Sequence, residues 1–392
     1  MFGRLRKIPK LGFKYGLAIF SIAAFIFFAY FWRLGTLTSG QSASEAAAAA
    51  ASSSLSTIVN DPTYGPHKIA QFVSQKIFGH GAADIRIVSV LSALFFLVCF
   101  YKLVRGWFGK MISLLSTTFL AATPWFILIA RNGSPAILLL APLAILASYY
   151  WFGRSESSRA FYVLIVTCAL SLYVPGMIWL ILLGLLLARK DFGVHSANLS
   201  RVSKFGAYLL SALIIAPLIY ASVNNLEIIK SIFLVPEQWA AALISLKSIV
   251  WSFLALVWRT PTHAEHIIGR LPMLNIAQIA LATFGCFALY KLARPKMYLL
   301  VFIAAFGIIT AGINRNLVFL TFALAAVAVA LAAGLRYLYM EWKSVFPLNP
   351  IPKYMAIVLL SSLVLLHVSY GLRYSLVAWP NTTETRATFM LK

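Results

Sequence analysis

The stretch that decides the fold is ADIRIVSVLSALFFLVCFYKLVRGWFGKMISLLSTTFLAATPWFILIARNGSPAILLLAPLAILASYYWF, residues 83–152. It contains three long apolar runs, 87–104, 111–130 and 135–152, separated by short gaps that hold basic, glycine or polar residues. Runs of ~18–23 apolar residues are long enough to cross the hydrocarbon core of a bilayer as helices. The stretch therefore predicts three consecutive transmembrane helices.

The composition of the whole chain also indicates a protein embedded in lipid. Of the 392 residues, 61% are hydrophobic and 11% are charged, with a mean hydropathy of +0.87, whereas a soluble domain carries about 25% charged residues. The net charge of +23 would suggest nucleic acid in a soluble protein. Here the basic residues stand in the gaps between apolar runs, so we expect membrane lipids as partners and no nucleic acid.

We predict an all-α, polytopic membrane protein with about 11 transmembrane helices and further juxtamembrane helices at the outer face. The run from Phe161 to Leu187 is too long for one helix, and Pro175-Gly176 divides it, because proline removes a backbone donor and glycine permits a bend. Residues 1–392 then form a single transmembrane domain. The predicted spans are 15–32, 87–104, 111–130, 135–152, 160–174, 176–188, 205–223, 274–291, 297–312, 317–338 and 354–371.

The basic residues predict the orientation. With the N-terminus inside, the cytoplasmic segments hold 20 of the 33 Lys and Arg residues in short loops, which is the positive-inside pattern. This indicates a multi-pass protein of the cytoplasmic membrane with its C-terminus outside. Residues 238–258 could also span, but that would reverse the downstream topology, so we predict an outer interfacial helix. The outer segments are a first outer loop, 33–86, a second outer loop, 224–273, and a tail, 372–392.

The acidic residues are candidates for acid–base chemistry at the outer face. Seven of the ten lie in outer segments, and none lies well inside a predicted span. Ser42 to Glu45 is a capping box before an alanine run and predicts a helix of about fifteen residues. Glu45 either caps this helix or acts as a general base. Asp61 precedes Pro62, which is typical of a turn, and is the second catalytic candidate.

One histidine, one lysine and three arginines are candidates for binding a phosphate. Each could be an ordinary interfacial residue, but several around one outer cavity would suit a phosphate headgroup. They are His67, Lys68, Arg86, Arg131 and Arg315.

No metal or cofactor site is predicted. Cys99, Cys168 and Cys286 all fall inside apolar runs and form no CxxC pair. The chain has no P-loop, GxGxxG or HExxH motif.

Residues 83–152 resemble the second to fourth helices of membrane glycosyltransferases of the GT-C class. The pattern is most similar to protein O-mannosyltransferases and aminoarabinose transferases, the glycosyltransferase family 39-like group. The matching features are Arg86-Ile87-Val88-Ser89, the turn Arg105–Gly109, and Pro124 before Arg131. LYVPG, RLPMLN and INRNLVFLTFALAAVAVALAAGLRYLYMEW resemble bacterial members as well, so the resemblance covers most of residues 15–380.

The resemblance implies transfer of a sugar from a polyprenyl-phosphate carrier to an acceptor hydroxyl at the extracytoplasmic face. In such enzymes an acidic residue of the first outer loop activates the acceptor, and basic residues hold the lipid phosphate. Carried over, Glu45 would be the carboxylate. Lys68, Arg86, Arg131 and Arg315 would be the phosphate ligands. The sequence does not specify the sugar, or whether the acceptor is protein, lipid or glycan.

Two departures from the family pattern keep other functions open. Relatives usually have an adjacent Asp-Glu pair in the first outer loop, where this chain has Ser44-Glu45. An acidic residue that often follows helix three is replaced by Asn132-Gly133-Ser134-Pro135. Asp61 could then be the base, or the protein could bind or assemble lipid-linked sugars without catalysis. A transporter or flippase is less favoured, because the spans carry no carboxylate.

Overall fold

The computed structural model describes residues 13–345 and 350–390. These residues form eighteen α-helices and no β-strand, which confirms the predicted all-α class. Most of the basic residues that predict a cytoplasmic N-terminus, Arg4 to Lys10, lie outside the described residues.

The first half of the chain contains nine α-helices. A π-helical turn, Phe27–Phe31, extends the first, and a 3₁₀ helix, Pro135–Leu140, leads into the eighth. The helices are α1 Phe13–Ile26, α2 Ala43–Ala51, α3 Leu55–Asn60, α4 Gly65–Phe78, α5 Ala82–Phe108, α6 Lys110–Ala121, α7 Pro124–Ala130, α8 Ala141–Ser155 and α9 Ser158–Ser171.

The second half contains nine more. Short 3₁₀ helices occupy Leu317–Phe319 and Trp379–Asn381, and a π-helical turn occupies Tyr374–Ala378. The α-helices are α10 Met177–Ala197, α11 Arg201–Asn224, α12 Leu226–Ile232, α13 Ala242–Val257, α14 Ile276–Leu292, α15 Arg294–Ile313, α16 Leu320–Val345, α17 Pro350–Arg373 and α18 Thr383–Thr388.

Several helical segments are long and apolar enough to cross a membrane, which supports the multi-pass prediction. Six pass by length and composition, or seven if the bent pair α6 and α7 is one span. The six are Ala82–Phe108, Pro135–Ser155, Arg201–Asn224, Arg294–Ile313, Leu317–Val345 and Tyr354–Asn381. Four shorter apolar helices accompany them: Phe20–Phe31, Ser158–Ser171, Ala242–Val257 and Ile276–Leu292. The predicted number of 11 spans is not confirmed.

Proline interrupts the helices at two places. The predicted span 111–130 is bent, because it consists of two helices, α6 and α7, that meet at an angle of 66°. Thr123 is extended there, as expected of a residue before proline. The break predicted at Pro175-Gly176 is confirmed, since α9 ends at Ser171 and Gly176 has a left-handed φ of 82°.

The helix predicted from Ser42 is shorter than expected. Ser42 and Glu45 form the predicted capping box, but α2 has nine residues and ends at Ala51. The next serine, Ser54, caps α3 in the same way. Serine side chains compete for backbone donors, and this explains why the alanine run does not continue as one helix.

The loops gather at two ends of the helical bundle. At the end we call the site end, Ser39 Oγ donates to the Phe389 carbonyl at 2.8 Å, and Trp379 Nε1 donates to the Ala264 carbonyl at 2.9 Å. These contacts join segments 33–86, 258–275 and 374–390. The helix that we predict at the outer interface, α13, packs against the C-terminal end of α15. There Ile249 lies beside Gly312.

The centre of the bundle is α16, which packs against α14 and α15 and is buried over nearly all of Leu320–Leu335. Two glycines allow α14 and α16 to touch through their backbones. A Cβ on Gly285 would lie 1.7 Å from the Ala330 carbonyl oxygen, and one on Gly334 would lie 2.0 Å from the Leu281 carbonyl oxygen. Small residues commonly permit such close helix packing in membranes.

We expect Gly285→Ala to destabilise the protein, because the added methyl group forces α14 away from α16. Overpacking of this kind costs roughly 1–3 kcal/mol. Thermal unfolding in detergent measures the effect. Gly184→Ala in α10 is the matched control, since nothing lies within 4 Å of the Cβ it would add. Equal unfolding midpoints for the two variants would contradict the packing argument.

Candidate active site

A cavity of about 660 Å³ opens at the site end beside α13. Three arginines, Arg259, Arg270 and Arg315, lie in its wall, and all three are exposed. Within the described part of the chain, no salt bridge includes any of their guanidinium groups. The remaining lining residues are Ser248, Trp251, Ser252, Thr260, Pro261, Thr262, His263, Ala311, Asn316 and Leu317.

The loop after α13 brings two of these arginines together. Its return arm lies against the end of the helix, where Met273 N donates to the Ala255 carbonyl and Leu274 N to the Leu256 carbonyl, both at 3.0 Å. Thr260, only 2% exposed, bonds to both carbonyls of the pair Arg270-Leu271. Arg259 and Arg270 are therefore fixed at the two stems of one loop.

Arg315 reaches the cavity from the other side. It lies in the turn between α15 and α16 and has a left-handed φ of 50°, which is uncommon for a residue with a side chain. Three guanidinium groups without carboxylate partners make the wall strongly positive, while Trp251, Ala311 and Leu317 give it an apolar part. This combination suits a phosphate that carries an apolar chain.

Two histidines form the inner edge of the same loop. The ring of His263 lies 5.1 Å from that of His266, and His266 lies 5.5 Å from Trp125 at the start of α7. Burial lowers the pKa of both imidazoles, and the nearby Glu265 only partly opposes this for His263. Both rings are therefore neutral near pH 7, and the positive charge of the cavity comes from its arginines.

The first predicted carboxylate, Glu45, is fully buried in an ion pair. Arg86 donates to it through Nε at 2.6 Å and Nη2 at 2.8 Å. The backbone N–H groups of Gly133 and Ser42 donate to the same carboxylate at 2.8 and 3.1 Å. Gly133 is required here, because a Cβ would lie 2.5 Å from the Ile85 side chain.

Two buried arginines at the site end, Arg86 and Arg131, hold backbone carbonyls. Besides Glu45, Arg86 donates to the carbonyls of Leu34 and Gly40 at 2.9 Å each. Arg131 donates to the carbonyls of Ala29 and Trp32, and so satisfies the last turn of the first helix. Burial lowers the pKa of Arg131 to about 10, which still leaves it charged at neutral pH.

Asp61, Lys68 and His67 form a separate group. Lys68 Nζ donates to Asp61 Oδ2 and to the Asp61 carbonyl, both at 2.7 Å. Burial raises the pKa of Asp61, but hydrogen bonds from Lys68 and Thr63 outweigh it and leave this pKa below its usual value. His67 is buried against Ser89, 3.0 Å from Nε2 to Oγ.

Of the predicted site residues, only Arg315 lines the arginine cavity. Glu45 pairs with Arg86, and Arg86 and Arg131 border a small hollow that also contains Glu265. Sequence reasoning missed Arg259, Arg270 and Glu265. A signal was present in RTPTHAEHIIGR, residues 259–270, which is unusually rich in charged and histidine residues for so apolar a chain.

We expect Arg86→Met to destabilise the protein strongly, because it leaves the Glu45 carboxylate buried without a cation. Breaking a buried pair in this way costs roughly 3–5 kcal/mol. Thermal unfolding in detergent measures the loss. Lys230→Met removes the exposed pair with Glu227 and is the control, with an expected effect under about 1 kcal/mol. A similar small shift for both variants would be inconsistent with a structural role for the buried pair.

We also expect stability to fall between pH 6.5 and about 4, partly through His67. Burial lowers the pKa of His67 from 6.5 to about 4. The unfolded chain therefore binds this proton first as the pH falls, and roughly 3 kcal/mol is lost across the interval. His67→Gln should flatten the pH dependence of the unfolding midpoint in that range. An unchanged slope would show that His67 already titrates normally in the folded protein.

Part of this sequence matches a known protein family, and nearly the whole chain matches the fold of solved structures. The family model for dolichyl-phosphate-mannose-protein mannosyltransferases matches residues 68–222. A search of the curated proteins found no match.

Two solved structures show the same fold over nearly the full chain. The apo structure of ArnT from Cupriavidus metallidurans is 14% identical, with a TM-score of 0.57 over 96% of this chain and 76% of that one. The structure of the same enzyme bound to undecaprenyl phosphate is 13% identical, with a TM-score of 0.55 over 95% and 76%. The resemblance to GT-C class membrane glycosyltransferases is therefore confirmed, and the chain has the fold of that class.

Proposed function

We propose that this protein transfers a sugar from a polyprenyl-phosphate carrier to an acceptor hydroxyl at the extracytoplasmic face of the cytoplasmic membrane. The observation that carries the proposal is the cavity lined by Arg259, Arg270 and Arg315, whose guanidinium groups have no acidic partner among the described residues. The match to a mannosyltransferase family model and the fold shared with a structure that holds undecaprenyl phosphate support it.

The carrier's phosphate would lie among the three arginines. Guanidinium groups bind phosphate oxygens through paired, charge-assisted hydrogen bonds. The polyprenyl chain would leave past Trp251 and along α13, where Ile244, two turns before Trp251 on the same face, exposes about half of its surface. Ile244, Ser248 and Trp251 lie on one face of α13, so the phosphate in the cavity and the chain beside it would contact neighbouring turns of the helix.

The paired charges of the first outer loop would have a supporting role. Glu45 accepts four hydrogen bonds and has no access to solvent, so it positions the loop and does not take a proton from an acceptor. Arg86 and Arg131 are likewise engaged by carbonyls. Lys68 and Asp61 neutralise each other and lie outside the arginine cavity.

The proposed orientation of the protein in the membrane follows from the distribution of its basic residues. The end of the bundle opposite the site carries exposed cations in the terminal turns of its helices, including Arg105, Lys110 and Arg154. Such clusters favour the cytoplasmic side. The site end would then face outward, where polyprenyl-linked sugars would meet their acceptor.

A non-catalytic protein that binds lipid-linked sugars is the second candidate. The full engagement of Glu45 favours it, because this is the carboxylate that the family resemblance would make the base. Such a protein would bind the carrier as strongly as the enzyme and would release no polyprenyl phosphate from a sugar donor.

We expect Arg315→Ala to weaken binding of undecaprenyl phosphate about 10-fold or more. A hydrogen bond to a charged group contributes roughly 1.5–3 kcal/mol, and 1.4 kcal/mol corresponds to a factor of ten. Binding is measured by titration of the protein in lipid nanodiscs, with undecaprenol, which lacks the phosphate, as the control ligand. Arg259→Ala and Arg270→Ala should have similar effects.

Arg386→Ala is the matched control variant, because Arg386 lies on α18 outside the cavity and contacts Asn381. The transferase proposal also requires the wild type to release undecaprenyl phosphate from undecaprenyl-phosphate mannose or aminoarabinose in acceptor-containing membranes. Binding without release would favour the non-catalytic candidate. Equal affinity for undecaprenol and undecaprenyl phosphate would show that the arginine cavity does not bind the carrier phosphate, which would contradict both the transferase and the non-catalytic candidate.

A further inference from the structure

The carboxylates at the site end differ in how fully they are engaged. Four of them have a cation or a helix end as partner: Glu45 with Arg86, Asp61 with Lys68, Asp84 with the Gly81 N–H at the start of α5, and Glu227 with Lys230. Glu237 and Glu384 are exposed, and neither borders the small hollow that contains Arg86 and Arg131. Glu265 differs from all six, because it is partly buried and has no ion pair within the described residues.

Glu265 lies between the arginine cavity and the first outer loop. Two residues before it, His263 lines the cavity. Its own carboxylate accepts a hydrogen bond from Ser44 Oγ, 2.8 Å from Oε2. It also borders the small hollow that contains Arg86 and Arg131. The carboxylate therefore contacts the first outer loop and borders the hollow of Arg86 and Arg131, two residues along the chain from the wall of the arginine cavity.

The loop that carries Glu265 is held firmly in place. The carbonyl of the preceding residue, Ala264, accepts hydrogen bonds from Trp379 Nε1 at 2.9 Å and from Thr385 Oγ1 at 3.3 Å. Three residues after Glu265, the Ile268 N–H donates to the Tyr374 hydroxyl at 2.8 Å. A carboxylate on a fixed loop with one neutral donor keeps lone pairs available at a defined position, which a general base requires.

We propose that Glu265 is the general base of the transfer reaction, with Ser44 as its positioning residue. This inference rests on the proposed function. The acceptor oxygen forms a bond to the anomeric carbon of the sugar. The bond from that carbon to the carrier phosphate breaks, and its electron pair leaves with polyprenyl phosphate. The hydroxyl proton passes to the Glu265 carboxylate and from there to water, so the side chain returns to its starting state.

The second outer loop therefore supplies most of the chemistry in this protein. Arg259 and Arg270 bind the leaving phosphate, and Glu265 between them in sequence activates the acceptor. The serine at position 44 no longer offers a carboxylate, but its hydroxyl contacts the one that the second loop provides. The first outer loop then orients the base and does not contain it.

The test is Glu265→Gln, which keeps the shape and the contact with Ser44 but removes the basic oxygen. We expect kcat for release of undecaprenyl phosphate from undecaprenyl-phosphate mannose or aminoarabinose to fall about 100-fold or more, since general bases contribute roughly 10²–10⁴-fold. The affinity for undecaprenyl phosphate should stay within about 2-fold, because the phosphate site is separate. Glu384→Gln, an exposed carboxylate at the same end, should leave kcat unchanged.

A second variant separates a chemical role from a structural one. The Ser44 hydroxyl lies 2.8 Å from Glu265 Oε2, so Ser44→Asp in the Glu265→Gln background places a carboxylate beside the lost one. We expect this double variant to recover at least about 10-fold of the lost kcat. If Glu265 only supported the fold, a carboxylate supplied from a different loop would not restore kcat.

The outcomes distinguish this inference from the function on which it rests. An active wild type with an equally active Glu265→Gln variant would overturn the role of Glu265 and leave the transferase intact. Loss of carrier binding together with kcat, without recovery in the double variant, would show a structural role and also overturn it. A wild type that binds undecaprenyl phosphate but releases none from either sugar donor would overturn the transferase and the base together.

Discussion

The buried ion pair between Glu45 and Arg86 is the constraint on which the site end depends. It joins α2 of the first outer loop to the start of α5, and through Gly133 to the turn after α7. Two charges can be buried together only if their hydrogen-bonding capacity is filled, and Arg86 donates to two carbonyls and Thr38 in addition to the carboxylate. Removing either partner leaves the other without compensation, so the two act as one structural unit.

The arginines at the site end fall into two groups that differ in burial and pairing. Arg86 and Arg131 are buried and satisfied, whereas Arg259, Arg270 and Arg315 are exposed in a cavity with no acidic partner among the described residues. Cations that line one cavity without counter-charges repel one another. An anionic ligand would relieve that repulsion, and the phosphate with an apolar chain that we propose would also contact the tryptophan and aliphatic lining. The same distinction among carboxylates sets Glu265 apart from Glu45 and Asp61.

The sequence was sufficient for the features that depend on local physics. Apolar run lengths predicted the membrane helices, Ser42 and Glu45 predicted the capped start of α2, and Pro175-Gly176 predicted the break before α10. The number of spans was not confirmed, because interruptions such as the 66° bend at Thr123 and the short helices depend on packing between distant segments. Run length alone does not report that packing.

The candidate site was predicted less well for the same reason. Glu45 and Arg86 are 41 positions apart in the sequence, and only tertiary contacts show that each satisfies the other. Without that information both carry the pattern of functional residues. Arg259 and Arg270 come together because the loop after α13 returns onto its own helix, a contact that no spacing rule indicates. The GT-C resemblance points to the first outer loop, whereas Arg259, Arg270 and Glu265 lie in the second and Arg315 lies in the turn before α16.

The most direct measurement is an experimental structure of this protein in lipid nanodiscs with undecaprenyl phosphate bound. The account predicts that the phosphate lies about 3 Å from guanidinium nitrogens of Arg315 and at least one of Arg259 and Arg270, with the chain leaving along α13. A phosphate bound at Lys68, or at the opposite end of the bundle, would contradict it.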